Sequence, residues 1–368
     1  MSRMLKWLAA PSLALLCNVG IAPAADAPQG LDQKGKPDVK SIGPLAFGPD
    51  GVLFLGDPRG AAIFAVEAPT ASSAVDANFK IEGIDAQVAA LLGVSAGDVL
   101  INDLAVQPGS GQAFLSVSRG KGPDAESVVV KVDAAGNLAL VPLDNVNYSK
   151  FAIDNAPAED AKDRRGNSLR LEAITDLAYV DGRLLIAGLS NEEFASQLRA
   201  IHFPFDKDDT SASVEIYHGA HGAVETRAPV RTFVPFTLNG EEFVLAAYTC
   251  TPLVKFPLSQ VKDGVKLRGT TVAELGNQNR PLDIVSYQRD GKTYLLLANS
   301  KRGVMKIATD KLGTQEGIES KVADTAGLPY ETIADLKGVE QLDKLGADRA
   351  LLLVRTEKGL NLEAVALP

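Results

Sequence analysis

The sequence predicts an all-β fold, a six-bladed β-propeller whose ring is closed by an N-terminal strand. Three observations predict it. A motif of short apolar strands around a tight turn recurs six times along the chain. Successive repeats begin 51 to 73 residues apart, which is enough for a four-stranded antiparallel sheet. The last repeat lacks a fourth strand, and a segment near the N-terminus can supply it, which leaves no sheet edge open.

Each repeat is centred on a turn of residues that tolerate the positive φ of hairpin turns. The six turns are Pro49-Asp50-Gly51, Gly109-Ser110-Gly111, Asp181-Gly182, Asn239-Gly240, Asp290-Gly291 and Gly346-Ala347-Asp348. The first strands of the repeats are anchored at Leu45, Leu104, Leu177, Phe233, Ile284 and Val339. Six units of one kind therefore fit the chain.

The spacing also predicts what lies between and beside the blades. The long step from Leu104 to Leu177 indicates a charged, loop-like insertion at about 145–170. Apolar residues at helical spacing predict a short helix over 85–92. The closing strand is predicted at 38–42, within a single propeller domain of residues 38–368 that follows a flexible segment, 25–37.

Residues 1–24 are typical of a secretory signal peptide. Arg3 and Lys6 precede an apolar stretch from Leu8 to Leu16, and Ala22-Pro23-Ala24 offers a small-residue cleavage site. No later apolar run reaches the roughly 18 residues that span a bilayer. The sequence therefore predicts a secreted or periplasmic protein with no membrane contact after cleavage.

Charge and cysteine content narrow the classes of function. Cleavage after Ala24 removes two basic residues and no acidic ones, so the net charge of −9 becomes −11, which argues against a nucleic-acid partner. Trp7, the only tryptophan, leaves with the signal, which argues against propellers that stack tryptophans between blades. Of two cysteines only Cys250 remains, so no internal disulfide forms. Cys250 is either a small buried residue or a reactive thiol that serves as a metal ligand, a nucleophile or one half of an intermolecular disulfide.

A first candidate site lies where the inner strands begin. Three aspartates stand directly before first-strand anchors, and an asparagine precedes one of them. Oxygen ligands that converge around a channel suit Ca²⁺ or another divalent metal. The predicted ligands are Asn102, Asp103, Asp176 and Asp283. The alternative is that each aspartate accepts hydrogen bonds from turn backbone.

A second candidate set lies in and beside the loops after the second strands, which open on the same face. Several of these residues are basic although the chain is acidic, so the mouth of the channel suits an anionic ligand. The predicted ligand-binding residues are Arg59, Arg119, Arg231, Arg302 and Cys250. The alternative is that the arginines are solvated and pair with neighbouring acids.

Two of the three histidines fall together in the segment before the fourth inner strand, at His218 and His221, with Glu225 close by. Either histidine could act as a general base near the channel, because the pKa of imidazole suits proton transfer near neutral pH. The same three residues could bind a transition metal, although their spacing matches no standard motif. The alternative is a polar loop in which the imidazoles hydrogen-bond to backbone.

This repeat pattern resembles the six-bladed propellers of the gluconolactonase, strictosidine synthase-like and NHL-repeat groups. The resemblance rests on blade count, length and the export signal and covers most of the chain after residue 24. It implies either a calcium-dependent hydrolase or lyase or a plain binding module. We therefore expect a small anionic ligand at the channel mouth, with metal-dependent hydrolysis or non-enzymatic binding of a small molecule or a protein as the two functions.

Overall fold

The computed structural model describes residues 28–69, 79–205 and 209–368, and these form six sheets, antiparallel except where Val265–Arg268 pairs with Thr210–His218, arranged as the blades of a propeller. The predicted all-β, six-bladed fold is confirmed. The predicted signal peptide, 1–24, lies outside the described residues. We number the blades by the order of their inner strands along the chain and name the strands of each blade inner, second, third and outer.

Blades 1 to 3 are built as follows. The strands of blade 1 are Leu45–Phe47, Val52–Asp57, Ala62–Glu67 and Val146–Ala152, with Gln33–Gly35 added at its outer edge. Those of blade 2 are Val99–Val106, Ala113–Arg119, Glu126–Val132 and Leu138–Leu140. Those of blade 3 are Asp176–Val180, Arg183–Leu189, Ser196–His202 and Thr210–His218; Ala223–Glu225 and Val265–Arg268 also pair with its outer strand.

Blades 4 to 6 follow the same plan. Blade 4 consists of Thr232–Leu238, Glu241–Ala247, Pro252–Pro257 and Thr270–Leu275, with Thr325–Gly327 at its edge. Blade 5 consists of Pro281–Arg289, Lys292–Asn299, Gly303–Ala308 and Tyr330–Thr332. Blade 6 consists of Val339–Lys344, Arg349–Thr356, Gly359–Ala366 and Lys80–Ile81.

The described helices are short. The α-helix Ile84–Leu92 confirms the helix predicted between blades, and single 3₁₀ turns cover Pro49–Gly51, Ala96–Asp98, Gly122–Asp124, Arg170–Glu172 and Leu258–Gln260. Within the described ranges, no helix has the length and apolar character needed to cross a membrane.

The hairpin turns adopt the backbone that their sequences predict. Asp50, Asp181, Asn239 and Asp290 have φ between 47° and 53°, and each is followed by a glycine that also has positive φ. This pair of left-handed residues matches the twist of the strands on either side. The second strands that follow these turns are almost wholly buried, as in Val52–Asp57 and Arg183–Leu189.

The ring is closed by a different segment from the one predicted. Lys80–Ile81 pairs with Gly359–Ala366 and supplies the outer strand of blade 6, whereas residues 38–42 form no strand. A strand that precedes blades 2 to 6 in the sequence does close the ring, but it is Lys80–Ile81 and not the predicted segment 38–42. Gln33–Gly35, in the segment expected to be flexible, pairs instead with Val146–Ala152.

The predicted insertion at 145–170 is also partly a strand. Val146–Ala152 pairs with Ala62–Glu67 and completes blade 1, although blade 2 lies between them in the sequence. As a result, blade 1 contacts blades 2 and 3, and blade 2 contacts blades 1 and 6. The order around the ring is therefore 2, 1, 3, 4, 5, 6. Val146–Ala152 contains alternating polar side chains, so it has no apolar run from which a strand could be predicted.

Apolar side chains fill the interface between each pair of neighbouring blades. Between blades 1 and 3, for example, the fully buried Phe54 contacts Tyr179 and Phe203, with ring centroids 5.7 and 5.0 Å apart. The helix Ile84–Leu92 packs Ile84 and Val88 between blades 2 and 6. Aliphatic and phenyl side chains thus do the packing between blades that tryptophan does in other propellers.

Candidate functional site

Four aspartates on inner strands connect neighbouring blades around the channel. The exposed edge of an inner strand has backbone N–H groups without a strand partner, and a carboxylate from the adjacent blade can accept from them. Each Oδ2 accepts a hydrogen bond at 2.7 or 2.8 Å from the next inner strand: Asp103 from Leu45, Asp176 from Phe233, Asp283 from Leu342 and Asp343 from Val106. These contacts fix four of the six blade-to-blade junctions.

The second carboxylate oxygen is also used in three of the four aspartates. Oδ1 of Asp176, Asp283 and Asp343 accepts the N–H of the following residue, at 2.8, 2.8 and 2.6 Å. Each of these carboxylates therefore joins two strands by its two oxygens. This is the structural role that the sequence left open as the alternative to metal binding.

The four aspartates ionise less readily than usual. Desolvation in the channel wall raises the pKa of Asp176 to about 7 and that of Asp343 to about 6. For Asp103 and Asp283, burial and the nearby negative charges of the other aspartates raise the pKa well above its ordinary value, against the backbone hydrogen bonds that lower it. Protonation relieves the repulsion that four converging carboxylates would feel.

Asn102, the fourth predicted calcium ligand, also makes contacts within the protein. Its amide nitrogen donates to the carbonyl of Ile42 at 3.1 Å and to Ser118 Oγ at 3.0 Å. It thus ties blade 2 to the chain that enters blade 1. Calcium binding by Asn102, Asp103, Asp176 and Asp283 stays a prediction, while the hydrogen bonds account for each residue without an ion.

Asp103, Asp176 and Asp283 form a waist that separates two cavities along the channel. The cavity on the side of the predicted site has a volume of about 700 Å³, and the one on the opposite side about 780 Å³. All three aspartates line both cavities. Asp343 lines only the second, which opens among the hairpin turns that contain Gly109 and Gly346.

The first cavity, which we call the basic mouth, is lined by the cationic residues Arg59, Lys121, Arg231 and Arg280. Two of them have acidic partners: Arg231 Nη1 lies 2.6 Å from Glu172 Oε2, and Lys121 Nζ lies 3.3 Å from Asp98 Oδ1. Arg59 donates to the carbonyl of Gly122. Arg59 and Arg231 thus line the same cavity, and their role in ligand binding stays a prediction.

Arg280 differs from the other cations of the basic mouth. It precedes the inner strand Pro281–Arg289, and its backbone N–H donates to Ser300 Oγ. Its side chain is exposed, and the guanidinium makes no hydrogen bond or ion pair with any residue in the described ranges. Partial burial in the channel wall and the positive charge of Arg231 lower its pKa, while Glu172 opposes the shift. The guanidinium stays charged and offers its planar set of donors to the cavity.

Three of the predicted ligand-binding residues do not line the channel. Arg119 pairs with Glu126 at 3.1 Å, although its neighbours Ser118 and Gly120 do line the basic mouth. Arg302 pairs with Asp324 at 2.7 Å. The half-buried Cys250 occupies a turn with φ of 62° and donates its backbone N–H to the carbonyl of Asn279. Loop position along the chain does not determine on which side of a loop a side chain lies.

His218 and His221 lie at the outer strand of blade 3 and line neither cavity. They were predicted beside the channel because they precede the inner strand of blade 4 in sequence. The outer strand Thr210–His218 instead turns through residues 218–222 into Ala223–Glu225, and both histidines stay with it. A general base in the basic mouth is therefore not supplied by either residue.

Sequence reasoning missed Asp343, Arg280, Lys121 and Glu172. Asp343 was missed because only the residue directly before each first-strand anchor was considered, whereas Asp343 lies four residues beyond Val339. Arg280 carried a usable signal, since it stands directly before an inner strand as Arg231 does. Nothing in the sequence pairs Glu172 with Arg231, because that contact joins residues 59 positions apart.

No protein-family model matches this chain, and no curated protein matches it. Among solved structures, Drosophila plexin A in complex with semaphorin 1b is similar at 11% identity and a TM-score of 0.39, over 91% of this chain and 88% of that one. The full extracellular region of plexin A4 is similar at 8% identity and a TM-score of 0.42, over 91% of this chain and 40% of that one. At such TM-scores the likeness adds nothing to the six blades described above.

Proposed function

We propose that this protein is a non-enzymatic binding propeller that captures a carboxylate-bearing ligand in the basic mouth. The observation that carries the proposal is Arg280, an exposed guanidinium with no protein partner in the described ranges, which faces the cavity beside Arg231. A planar guanidinium binds a carboxylate through two parallel hydrogen bonds. A cavity of about 700 Å³ falls within the range that small ligands occupy.

The charges of the basic mouth support an anion rather than a cation. Glu172 and Asp98 are each paired with a basic residue, and burial favours the protonated form of the waist aspartates. The positive charge of Arg280 is left without a counter-charge. A carboxylate that enters from solvent would supply this counter-charge. It would also offset the repulsion between the positive charges of Arg280 and Arg231.

Binding without catalysis is supported by where the reactive groups lie. A metal-dependent hydrolase or lyase at this mouth would use the waist carboxylates as metal ligands and a histidine as the base. The carboxylates already accept backbone hydrogen bonds, and His218 and His221 line neither cavity. Among the cations of the basic mouth, Arg280 is thus the group that remains available to a ligand.

The proposal includes export, because residues 1–24 carry a signal-peptide pattern. Mass spectrometry of the protein expressed with its natural N-terminus in a secreting bacterial host checks this part. We expect a mature chain that begins at Ala25 and is found outside the cytoplasm. An intact chain that keeps residues 1–24 and stays in the cytoplasm would contradict export and leave the binding proposal untouched.

Calorimetric titration tests the binding proposal, since the only tryptophan of the chain, Trp7, lies in the predicted signal peptide and reports on no site in the propeller. The probes are citrate, succinate and a short polyglutamate peptide at low ionic strength, where charge attraction is least screened. We expect at least one of them to bind and R280Q to weaken it by about tenfold or more, the loss of a charged hydrogen-bond pair. The matched control is R268Q, which removes an exposed arginine that pairs with Glu215 on blade 3.

Two results would contradict the proposal. Failure of all three anions to bind the wild-type protein would remove the basic mouth as a carboxylate site. Equal affinity of the wild-type, R280Q and R268Q proteins for the bound anion would move the site elsewhere.

A further inference from the structure

Two histidines and a glutamate meet on the rim of the propeller, far from the basic mouth. His218 ends the outer strand of blade 3, His221 lies in the turn that follows, and Glu225 ends the short strand that pairs back onto it. The backbone N–H of Gly222 donates to the carbonyl of His218 at 2.8 Å and holds this turn closed. Residues three and seven positions beyond His218 are thereby brought beside it.

The three side chains converge on a small volume. His218 Nδ1 lies 3.0 Å from Glu225 Oε2, and His221 Nδ1 lies 2.5 Å from Glu225 Oε1. The two imidazole rings are 3.9 Å apart between centroids and inclined by 36°. One ligand atom from each of the three residues falls within 4.8 Å of the others, and in the described ranges no other group of three or more His, Cys, Asp or Glu residues does so.

His218 is a buried polar side chain without a hydrogen bond. Its side chain is 2% exposed, and neither Nδ1 nor Nε2 has a hydrogen-bond partner in the described ranges, because the contact of Nδ1 with Glu225 lacks hydrogen-bond geometry. A buried imidazole with both nitrogens unsatisfied is costly. An ion that Nδ1 could coordinate would remove part of that cost.

We propose that His218, His221 and Glu225 bind a Zn²⁺ ion on the rim between blades 3 and 4. Two imidazole nitrogens and one carboxylate oxygen are ligands that Zn²⁺ takes, and three protein ligands leave a fourth position of its tetrahedron open to water. A hard cation such as Ca²⁺ is excluded by the nitrogen donors, since it takes oxygen ligands.

The observed geometry is close to what the ion requires. Metal–ligand bonds of about 2.0–2.2 Å place the ligands of a tetrahedron about 3.3 Å apart. The two histidines contact different oxygens of Glu225, at 3.0 and 2.5 Å, and one ligand atom from each residue lies within 4.8 Å of the others, so His221 must move by about 1–2 Å to reach this spacing. His221 can do so because half of its side chain is exposed, 51% against 2% for His218.

A second carboxylate stands behind the cluster. Glu274, on the outer strand of blade 4, accepts the N–H of Gly219 through Oε1 at 2.5 Å, and its Oε2 is buried without a partner in the described ranges. Burial raises the pKa of Glu274, and positive charge on His218 and His221 opposes that shift. Its negative charge would favour a cation here and would help to orient the imidazoles, as carboxylates beside metal-bound histidines do.

Zinc titration of the chelator-treated, tag-free protein tests the site, with ZnCl₂ alone as the probe. We expect one Zn²⁺ per chain and, with Co²⁺ in its place, the visible absorption of a nitrogen- and oxygen-coordinated ion. H221A and E225Q should each weaken zinc binding by tenfold or more. These substitutions spare the buried His218, and circular dichroism checks that both variants keep the strand content of the wild-type protein.

The chain offers a matched control, since His202 is its third histidine and lies outside the cluster. H202A should leave zinc affinity and stoichiometry unchanged. Substoichiometric zinc in the wild-type protein, or equal affinity in the wild-type, H221A and E225Q proteins, would overturn the proposal and leave a histidine–glutamate ion pair. This result is independent of the carboxylate titration, because R280Q does not alter the cluster.

Discussion

Asp176 Oδ2 accepts a 2.7 Å hydrogen bond from the backbone N–H of Phe233, so a side chain of blade 3 occupies the free edge of blade 4's inner strand. The same carboxylate accepts the N–H of Leu177 through Oδ1 at 2.8 Å. One residue thus satisfies backbone donors on two blades. Asp103, Asp283 and Asp343 repeat the inter-blade contact at three other junctions.

Removing both acceptor oxygens at position 176 should destabilise the propeller more than removing one of them. D176A leaves the N–H of the buried Phe233 without a partner and is expected to lower the free energy of unfolding by about 1–3 kcal/mol. D176N keeps one of the two acceptor oxygens, so it should cost less than D176A. Urea denaturation measures both, with D160N, an exposed loop substitution, as the control. Equal losses in D176A and D160N would contradict the inter-blade role.

The raised pKa of the waist aspartates predicts that stability falls as pH rises. The pKa of Asp176 rises from 3.8 in its ordinary state to about 7 in the folded state, so between these values the folded protein holds more protons than the unfolded chain. The stabilisation is complete below 3.8 and is lost as pH passes about 7. Between about pH 5 and pH 8 we expect a loss of about 1–3 kcal/mol, allowing for solvent in the channel.

Denaturation curves at the two pH values check this, and D176N identifies the group. Because asparagine does not ionise, D176N should show a smaller loss between about pH 5 and pH 8 than the wild-type protein. A wild-type protein that is more stable at the higher pH would show that the sign of the shift is wrong.

The two-residue strand Lys80–Ile81 should matter more than its length suggests. Ile81 is 8% exposed, pairs with Leu362 and packs among the apolar residues between blades 2 and 6. I81A is expected to lower the free energy of unfolding by about 2–4 kcal/mol, as truncation of a buried isoleucine does. The control is K80A, which removes a partly exposed side chain from the same strand and should cost less than about 1 kcal/mol. Equal effects of the two substitutions would argue against closure by this strand.

Calcium is checked by thermal unfolding with and without CaCl₂. Asp283 already accepts hydrogen bonds from Leu342 and Ile284, so we expect the unfolding temperature of the wild-type protein to stay unchanged when calcium is added. A rise with calcium that D283N abolishes would establish the ion site that the sequence predicts at Asn102, Asp103, Asp176 and Asp283.

The parts of the fold that depend on local chemistry could be predicted from the sequence. The turn at Asp181-Gly182 requires positive φ, and residues that tolerate it stand there. The inner and second strands around that turn are apolar and close in sequence. Six blades follow from six such turns.

Pairings that join distant segments could not be predicted. Val146–Ala152 completes blade 1 after a whole blade has intervened, and its alternating polar residues match an outer strand that is solvated on one side. Lys80–Ile81 is too short to produce any periodic pattern. Which strand each joins is decided by the space left open in the ring.

The candidate site was also predictable from the sequence only in part. The position of Asp103, Asp176 and Asp283 around the channel was predictable from their place before the inner strands. The backbone N–H groups that donate to these aspartates were not predictable. They lie on the neighbouring blade, and the sequence does not give the spacing between blades. For Arg119 the predicted loop does line the basic mouth, but Glu126 pairs with its side chain. Arg302 lies in a loop that lines neither cavity, and it pairs with Asp324.

The interlaced order of the blades has a consequence for how the protein is made. At a translating ribosome Gly83 emerges long before Asn361, yet its N–H donates to Asn361 Oδ1 across a sequence separation of 278 residues. The strand Lys80–Ile81 therefore has no partner strand until Gly359–Ala366 has been synthesised. A chain that stops short of its last ten residues lacks Gly359–Ala366, so blade 6 loses its third strand and Lys80–Ile81 loses its partner.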